Sequence, residues 1–230
     1  MASYNFYENY EAGLPLRDRF ASIADSASQD ETLTASLALW QATFTADTEV
    51  LEVDALRTLL TNLRAIDSLT PRPQCPVYRL FVSHRQIDKD FGLRVAKLAN
   101  NNGFEFWLDV LDPTLAAVAA HTHLSKDLKA LLTACVIEMG LINSTHVLAV
   151  MTWRTKGSLW VPYEYGRVRQ PGNTACWKKP SHKFTLPDYM LLGATTQSES
   201  DINQWLHRLY KPGPRCLPIT WQWAATIPLP

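Results

Sequence analysis

His146-Val147-Leu148-Ala149-Val150-Met151 is followed by Thr152-Trp153-Arg154-Thr155-Lys156-Gly157 and then by Ser158-Leu159-Trp160-Val161-Pro162-Tyr163-Glu164-Tyr165-Gly166-Arg167. The first block is a continuous apolar run of strand length, which reads as a strand buried on both faces. The second is a polar turn. The third reads as a helix reaching Arg169, with Ser158 as its cap and Pro162 acceptable only within the first turn. Trp160 and Glu164 are four residues apart, so a helix puts the indole and the carboxylate on one face. Just past the carboxyl end of a buried strand, that face is expected to look into the crevice where open parallel sheets bind ligands. Taken alone the Trp-x-x-x-Glu spacing is weak, since a packing Trp beside a solvated Glu is the commoner outcome.

Working upstream, the pattern alternates. Val77 to Val82 predicts a strand, Ser83-His84-Arg85-Gln86 a polar turn, and Asp88 to Asn101 an amphipathic helix closed by Gly103. Phe104 to Leu108 predicts a second strand ending at Asp109. Val110 to Thr122 is an Ala-rich loop of partial helical character, and Ser125 to Ile142 carries apolar residues at helical spacing. Strand and helix alternating at these intervals means βαβ units, hence a parallel sheet with helices on both faces. Downstream of Pro171 the expectation is a loop over Asn173–His182, a short strand over Tyr189–Leu192, and a helix over Ser200–Leu209.

The ends differ in character. Residues 1–76 read as an N-terminal helical extension, with helical potential at Leu16–Ala27, Glu31–Trp40 and Thr48–Leu69, closed by the stiff linker Thr70-Pro71-Arg72-Pro73-Gln74-Cys75-Pro76. The apolar stripe of the third helix requires a partner, either the main domain or another subunit. The main domain is expected over 77–212. Residues 213–230 form a Pro/Trp-rich tail.

Composition narrows the function classes. Of 230 residues, 47% are hydrophobic, enough for a sizeable core. Lys plus Arg and Asp plus Glu each number 22, with no basic block, which argues against nucleic acid as a partner. Cys75, Cys135, Cys176 and Cys216 are scattered with no C-x-x-C pair, which suggests neither a disulfide framework nor a zinc site. His121 and His123, with Asp127 nearby, lack a fourth ligand, so no metal is expected. Without a signal-peptide pattern or a membrane-spanning run, the protein is expected to be cytoplasmic, with no membrane contact. The absence of a Gly-rich phosphate loop disfavours a Rossmann hydride-transfer enzyme.

Three separated boxes resemble, in order and spacing, a TIR (Toll/interleukin receptor) domain. Tyr78-Arg79-Leu80-Phe81-Val82-Ser83-His84 is similar to the family's opening strand. Gly103-Phe104-Glu105-Phe106-Trp107-Leu108-Asp109 is similar to the strand leading into its BB loop. Ile137 to Val150, with Ser158, Trp160 and Glu164, is similar to the stretch ending in S-x-W-x-x-x-E. Thr152 departs from the family's usual Ser, and the Val110–Ser125 loop is unusually rich in Ala.

The resemblance implies a flavodoxin-like open parallel sheet flanked by helices. It also implies NAD⁺ as substrate rather than cofactor, cleaved between nicotinamide and ribose to give ADP-ribose or a cyclic isomer. Carried over by position, Glu164 is the catalytic carboxylate. Ser83, His84 and Arg85 contact the dinucleotide, while Ser158 and Trp160 shape the pocket. Asp109 either binds ribose or structures its loop, the latter being favoured. Small stand-alone members of this kind serve in anti-phage systems such as Thoeris, which implies self-association through the TIR domain and N-terminal helices, and a downstream effector activated by the product. The alternatives are a non-catalytic TIR scaffold and a nucleoside deoxyribosyltransferase-like enzyme. Trp107 is expected in the core, and Trp153 in the core, a subunit contact or a pocket wall.

Overall fold

The computed structural model describes residues 53–65, 78–120, 122, 124–142, 144–168, 172–179 and 183–209. Its elements run α1 (Val53–Ala65), β1 (Arg79–Ser83), α2 (Lys89–Asn101), β2 (Glu105–Trp107), α3 (Pro113–Ala120), α4 (Lys126–Ile142), β3 (His146–Met151), α5 (Trp160–Arg167), β4 (Thr174–Lys178), β5 (Ala194–Thr196) and α6 (Glu199–Leu209). The five strands form one sheet in the order β2-β1-β3-β4-β5, and all pairings are parallel. This is an open α/β sheet of flavodoxin-like order. The expected helices Leu16–Ala27 and Glu31–Trp40, the linker, His121 and His123, and the tail from Pro212 lie outside the described residues.

Every residue of β1 and β3 is buried, Arg79, Ser83 and His146 included, as strands covered on both faces require. Successive side chains alternate between two cores. Leu80, Val82, Leu148 and Val150 pack with Val95, Ala96 and Ala99 of α2 and with Ile202, Trp205 and Leu206 of α6. Phe81, Val147, Ala149 and Met151 turn the other way, toward α1, α4 and α5. From β1 the chain steps outward to β2, then returns across the sheet to β3, β4 and β5. Right-handed crossovers therefore put α2 on one face and α4 and α5 on the other.

Local chemistry fixes the ends. Gly103, at φ 79, follows α2, and the amides of Gly103 and Phe104 reach back to the carbonyls of Asn100 and Ala99 at 3.0 and 2.9 Å. That is the Schellman closure expected of Asn-Asn-Gly. Asp112 caps α3, its carboxylate accepting the Leu115 amide at 3.0 Å, with Pro113 at the first helical position. The same carboxylate accepts the Trp107 indole N–H at 3.0 Å, so β2 and α3 share one anchor. Trp107 is buried and stacks on Phe81 at 4.6 Å between centroids, while α4 comes close over the indole at Gly140. Any Cβ at position 140 would sit 2.9 Å from the indole ring. Arg79, which is buried, and the half-buried Glu105, paired in the β1–β2 register, form an ion pair at 2.5 Å.

Two expectations after Pro171 are corrected. The predicted loop Asn173–His182 contains β4, whose Ala175, Cys176 and Trp177 are buried between β3 and β5. The predicted strand Tyr189–Leu192 falls within a 3₁₀ helix, Asp188–Leu192, in which Met190 alone is buried. The strand follows it, at Ala194–Thr196. A run of four apolar residues cannot be told from a helical turn by pattern alone, and Leu191 and Leu192 face outward. The N-cap of α5 is Leu159, which makes no side-chain cap bond, rather than Ser158, whose hydroxyl instead accepts the Val161 amide from one residue further out; the helix ends at Arg167 rather than Arg169. The Ala-rich stretch Val110–Thr122, expected to be a loop of partial helical character, does contain a two-turn helix, α3.

The third helical stripe of the N-terminal extension meets the main domain. Leu56, Leu60 and Leu63 of α1 are buried in the core that holds α4. Leu63→Ala is expected to destabilise the protein by about 2–5 kcal/mol, as measured by denaturant unfolding. A change within about 0.5 kcal/mol would mean that α1 is an appendage.

Candidate active site

The site forms at the carboxyl ends of β1 and β3, the neighbouring strands from which the chain departs in opposite directions. Beyond β3, Thr152 caps the 3₁₀ turn Trp153–Thr155. Its hydroxyl accepts the Arg154 amide at 3.1 Å, and its own amide donates to the Thr155 hydroxyl at 2.9 Å. The Thr152 hydroxyl also donates to the buried carboxylate of Asp88 at 2.8 Å, tying this turn to the one after β1. Gly157, at φ 82, reverses the chain, and the Ser158 hydroxyl accepts the Val161 amide at 3.3 Å to start α5. Pro162 lies in the first turn, as its missing N–H requires.

This entry turns Glu164 back toward the sheet. The Ser83 hydroxyl, at the last residue of β1, donates to the Glu164 carboxyl at 2.5 Å across 81 residues of chain. Glu164 is only 6% exposed. Burial pushes its pKa up from 4.5 to about 8; the Ser83 hydrogen bond pulls it down, and the negative charges of Asp109 and Glu138 push it further up. Among the described residues no lysine or arginine forms an ion pair with Glu164.

His84 and Asp109 stand beside this pair. The buried His84 ring places Nε2 3.4 Å from the Asp109 carboxylate, too poorly aligned for a hydrogen bond, so among the described residues that nitrogen has no hydrogen-bond partner. Asp109 opens the 3₁₀ turn after β2 and accepts the Val110 amide at 2.7 Å, a loop-structuring contact. Desolvation raises its pKa, against the pull of His84 and the Val110 amide. Gly92 of α2 lies against the imidazole, and a Cβ there would meet the ring at 3.2 Å.

The remaining expected residues sit farther out. Arg85 is exposed and its guanidinium donates to the Arg154 carbonyl, bridging the turns after β1 and β3. The Ser158 hydroxyl is engaged by the Val161 amide. Trp160, 38% exposed, meets Tyr163 edge-on at 6.0 Å, and Trp153 and Leu159 are exposed as well. Trp153 is exposed with the Arg154 guanidinium 5.4 Å above its ring, so it belongs to the surface. Two buried acids were not singled out from the sequence as site residues: Asp88, which joins the two turns, and Glu138 of α4. A lone acid among the apolar positions of α4 is the signal that marks Glu138.

An under-paired buried carboxyl with one hydroxyl donor, at the sheet's switch point, suits chemistry in which positive charge develops on a bound molecule. No protein-family model, curated protein or solved structure matches the chain.

The raised pKa is also a statement about stability. Because the fold favours neutral Glu164, the stability that this confers is fully present below the unfolded-state value of 4.5 and is lost as pH rises to about 8. Glu164→Gln, neutral throughout, is expected to exceed the parent in stability by a margin that grows between about pH 5 and about pH 9, to roughly a few kcal/mol. Thermal melts across that range check this, and parallel curves for the two proteins would contradict it.

Proposed function

We propose that this chain is an NAD⁺-cleaving enzyme, a glycohydrolase or cyclase that breaks the bond between nicotinamide and ribose. The observation that carries the reading is the buried Glu164 carboxyl held by Ser83 at the β1–β3 switch point. The resemblance of the three sequence boxes to a TIR domain supplies the substrate.

The chemistry asks for little else. Cleavage of an N-glycosidic bond passes through an oxocarbenium-like sugar. The nicotinamide ring of NAD⁺ is cationic and leaves as a neutral molecule, so its departure needs no general acid. One carboxylate that accepts hydrogen bonds from ribose hydroxyls and opposes the growing charge is sufficient. A water-poor setting makes that opposition stronger than it would be in solvent. Ser83 fixes which carboxyl oxygen stays free for the sugar. In this reading Trp160 walls the crevice, His84 and Asp109 line it, and Arg85 lies at the rim near the dinucleotide. Attack by water gives ADP-ribose; attack by a nucleophile within the same molecule gives a cyclic isomer.

The proposal extends to a cytoplasmic, self-associating protein of anti-phage defence whose product activates a separate effector. A TIR scaffold without catalysis is the second reading. It is favoured by the exposure of Trp153, Leu159 and Trp160, three large apolar residues close in sequence, Leu159 being 88% exposed.

Incubating the purified protein with NAD⁺ and following released nicotinamide separates the two. Glu164→Ala is expected to reduce the rate by at least the roughly 10²–10³-fold typical of losing one preorganised electrostatic contact. Turnover that survives this substitution would exclude the mechanism. The active form is the ionised one, so kcat/KM should rise with pH and level off above about 8. The cationic ring of bound NAD⁺ favours ionisation, so the limb in kcat should lie at lower pH.

A further inference from the structure

Glu138 lies within the apolar stretch Ala134–Ile142 of α4, and it is fully buried. A buried carboxylate is costly unless it is paired and hydrogen-bonded. Its partners come from two other helices. From α5, the Tyr163 hydroxyl donates to one carboxylate oxygen and Arg167 Nε to the other at 3.2 Å. From α1, Arg64 Nε lies 3.7 Å away, with its guanidinium 5.6 Å over the Tyr163 ring. Arg167 also donates through Nη2 to the Leu63 carbonyl in the last turn of α1, at 3.1 Å. One acid thus fastens α1 and α5 to α4.

The placement on α5 is specific. Tyr163 and Arg167 are four apart and share a face; Glu164 is the residue after Tyr163, about 100° around the helix. Gripping the 163/167 face therefore sets the angle at which Glu164 meets Ser83. At the roughly 5–6 Å radius of a helical side chain, about 10° of rotation moves it by about 1 Å. A misplacement of about 1 Å can cost about 10²-fold in rate.

We propose that Glu138 is a positioning residue for Glu164, and that through Arg64 and Arg167 the seating of α1 against α4 controls the catalytic geometry. The proposal rests on the reading of Glu164 as the catalytic carboxylate. It makes α1 a lever: whatever pulls this helix away from α4 would release the grip on α5. The charged groups that bear on Glu164 are Asp109, after β2, and Glu138 itself, with His84 facing Asp109 and with Arg64 and Arg167 facing Glu138. Glu138 therefore acts in two separable ways, by grip and by charge.

Two variants separate them. In NAD⁺ cleavage, Glu138→Gln is expected to lower kcat about 10–100-fold with KM within about twofold, and to move the acid limb of the profile to lower pH, because a negative charge near Glu164 is gone. Tyr163→Phe weakens the grip but keeps the charge, so kcat should fall while the limb stays in place. This second variant decides the matter if the first fails to fold. Amide hydrogen exchange of α5 supplies a readout independent of turnover, and both variants should exchange faster at 163–167 than the parent. An inactive parent, or a Glu164→Gln variant as active as the parent, would sink the function but leave the exchange result to decide the grip. An active parent with wild-type kcat, pH limb and α5 exchange in both variants would overturn the positioning role alone.

Discussion

The contact on which the site depends is a single hydrogen bond, from the Ser83 hydroxyl to the Glu164 carboxyl at 2.5 Å. Among the described residues, other buried or half-buried acids are better paired. Glu138 has a phenol and two guanidiniums, Glu105 a guanidinium at 2.5 Å, and Asp88 a threonine hydroxyl with Arg154 at 3.5 Å. Glu164 has one neutral donor and two acids for neighbours. Desolvation without compensation is destabilising, and a group left in that state is a candidate for function. The protein pairs its buried acids where pairing stabilises the fold, and leaves this one short.

The sheet explains why such a group can exist at all. β1 and β3 are buried from end to end, so their carboxyl termini are rigid points from which Ser83 and the turn to α5 project. Thr152, Asp88, Arg154 and Arg85 lace the two following turns together. The result is a site whose parts come from residues far apart in sequence but adjacent at the switch point. Preorganisation of this kind is what lets an electrostatic contact act on a transition state without reorganising first.

Much of this is visible in the sequence, for physical reasons that differ from element to element. His146–Met151 is legible because a strand buried on both faces must be apolar throughout, and α2 because its stripe ends in Asn-Asn-Gly. Thr174–Lys178 is not, since Thr-Ala-Cys-Trp-Lys has neither an apolar run nor a clean alternation and becomes a strand only by pairing between β3 and β5. Asp188–Leu192 misleads in the opposite sense, being apolar enough for a strand yet exposing Leu191 and Leu192. Within the site, the spacing of Trp160 and Glu164 suggests a shared face, but helix spacing cannot reveal that Ser83, far upstream, would donate to the acid. Glu138 hides for another reason: a search for apolar periodicity passes over the one acid that interrupts it.

The most direct test is the titration of the Glu164 carboxyl itself, followed by ¹³C NMR of the side-chain carboxyl carbon in the folded protein and assigned with the Gln variant. A midpoint of about 8 is the value that burial beside Ser83, Asp109 and Glu138 predicts. A midpoint near 4.5, that of a glutamate in water, would mean that the carboxyl is solvated, and the account of the site would be wrong.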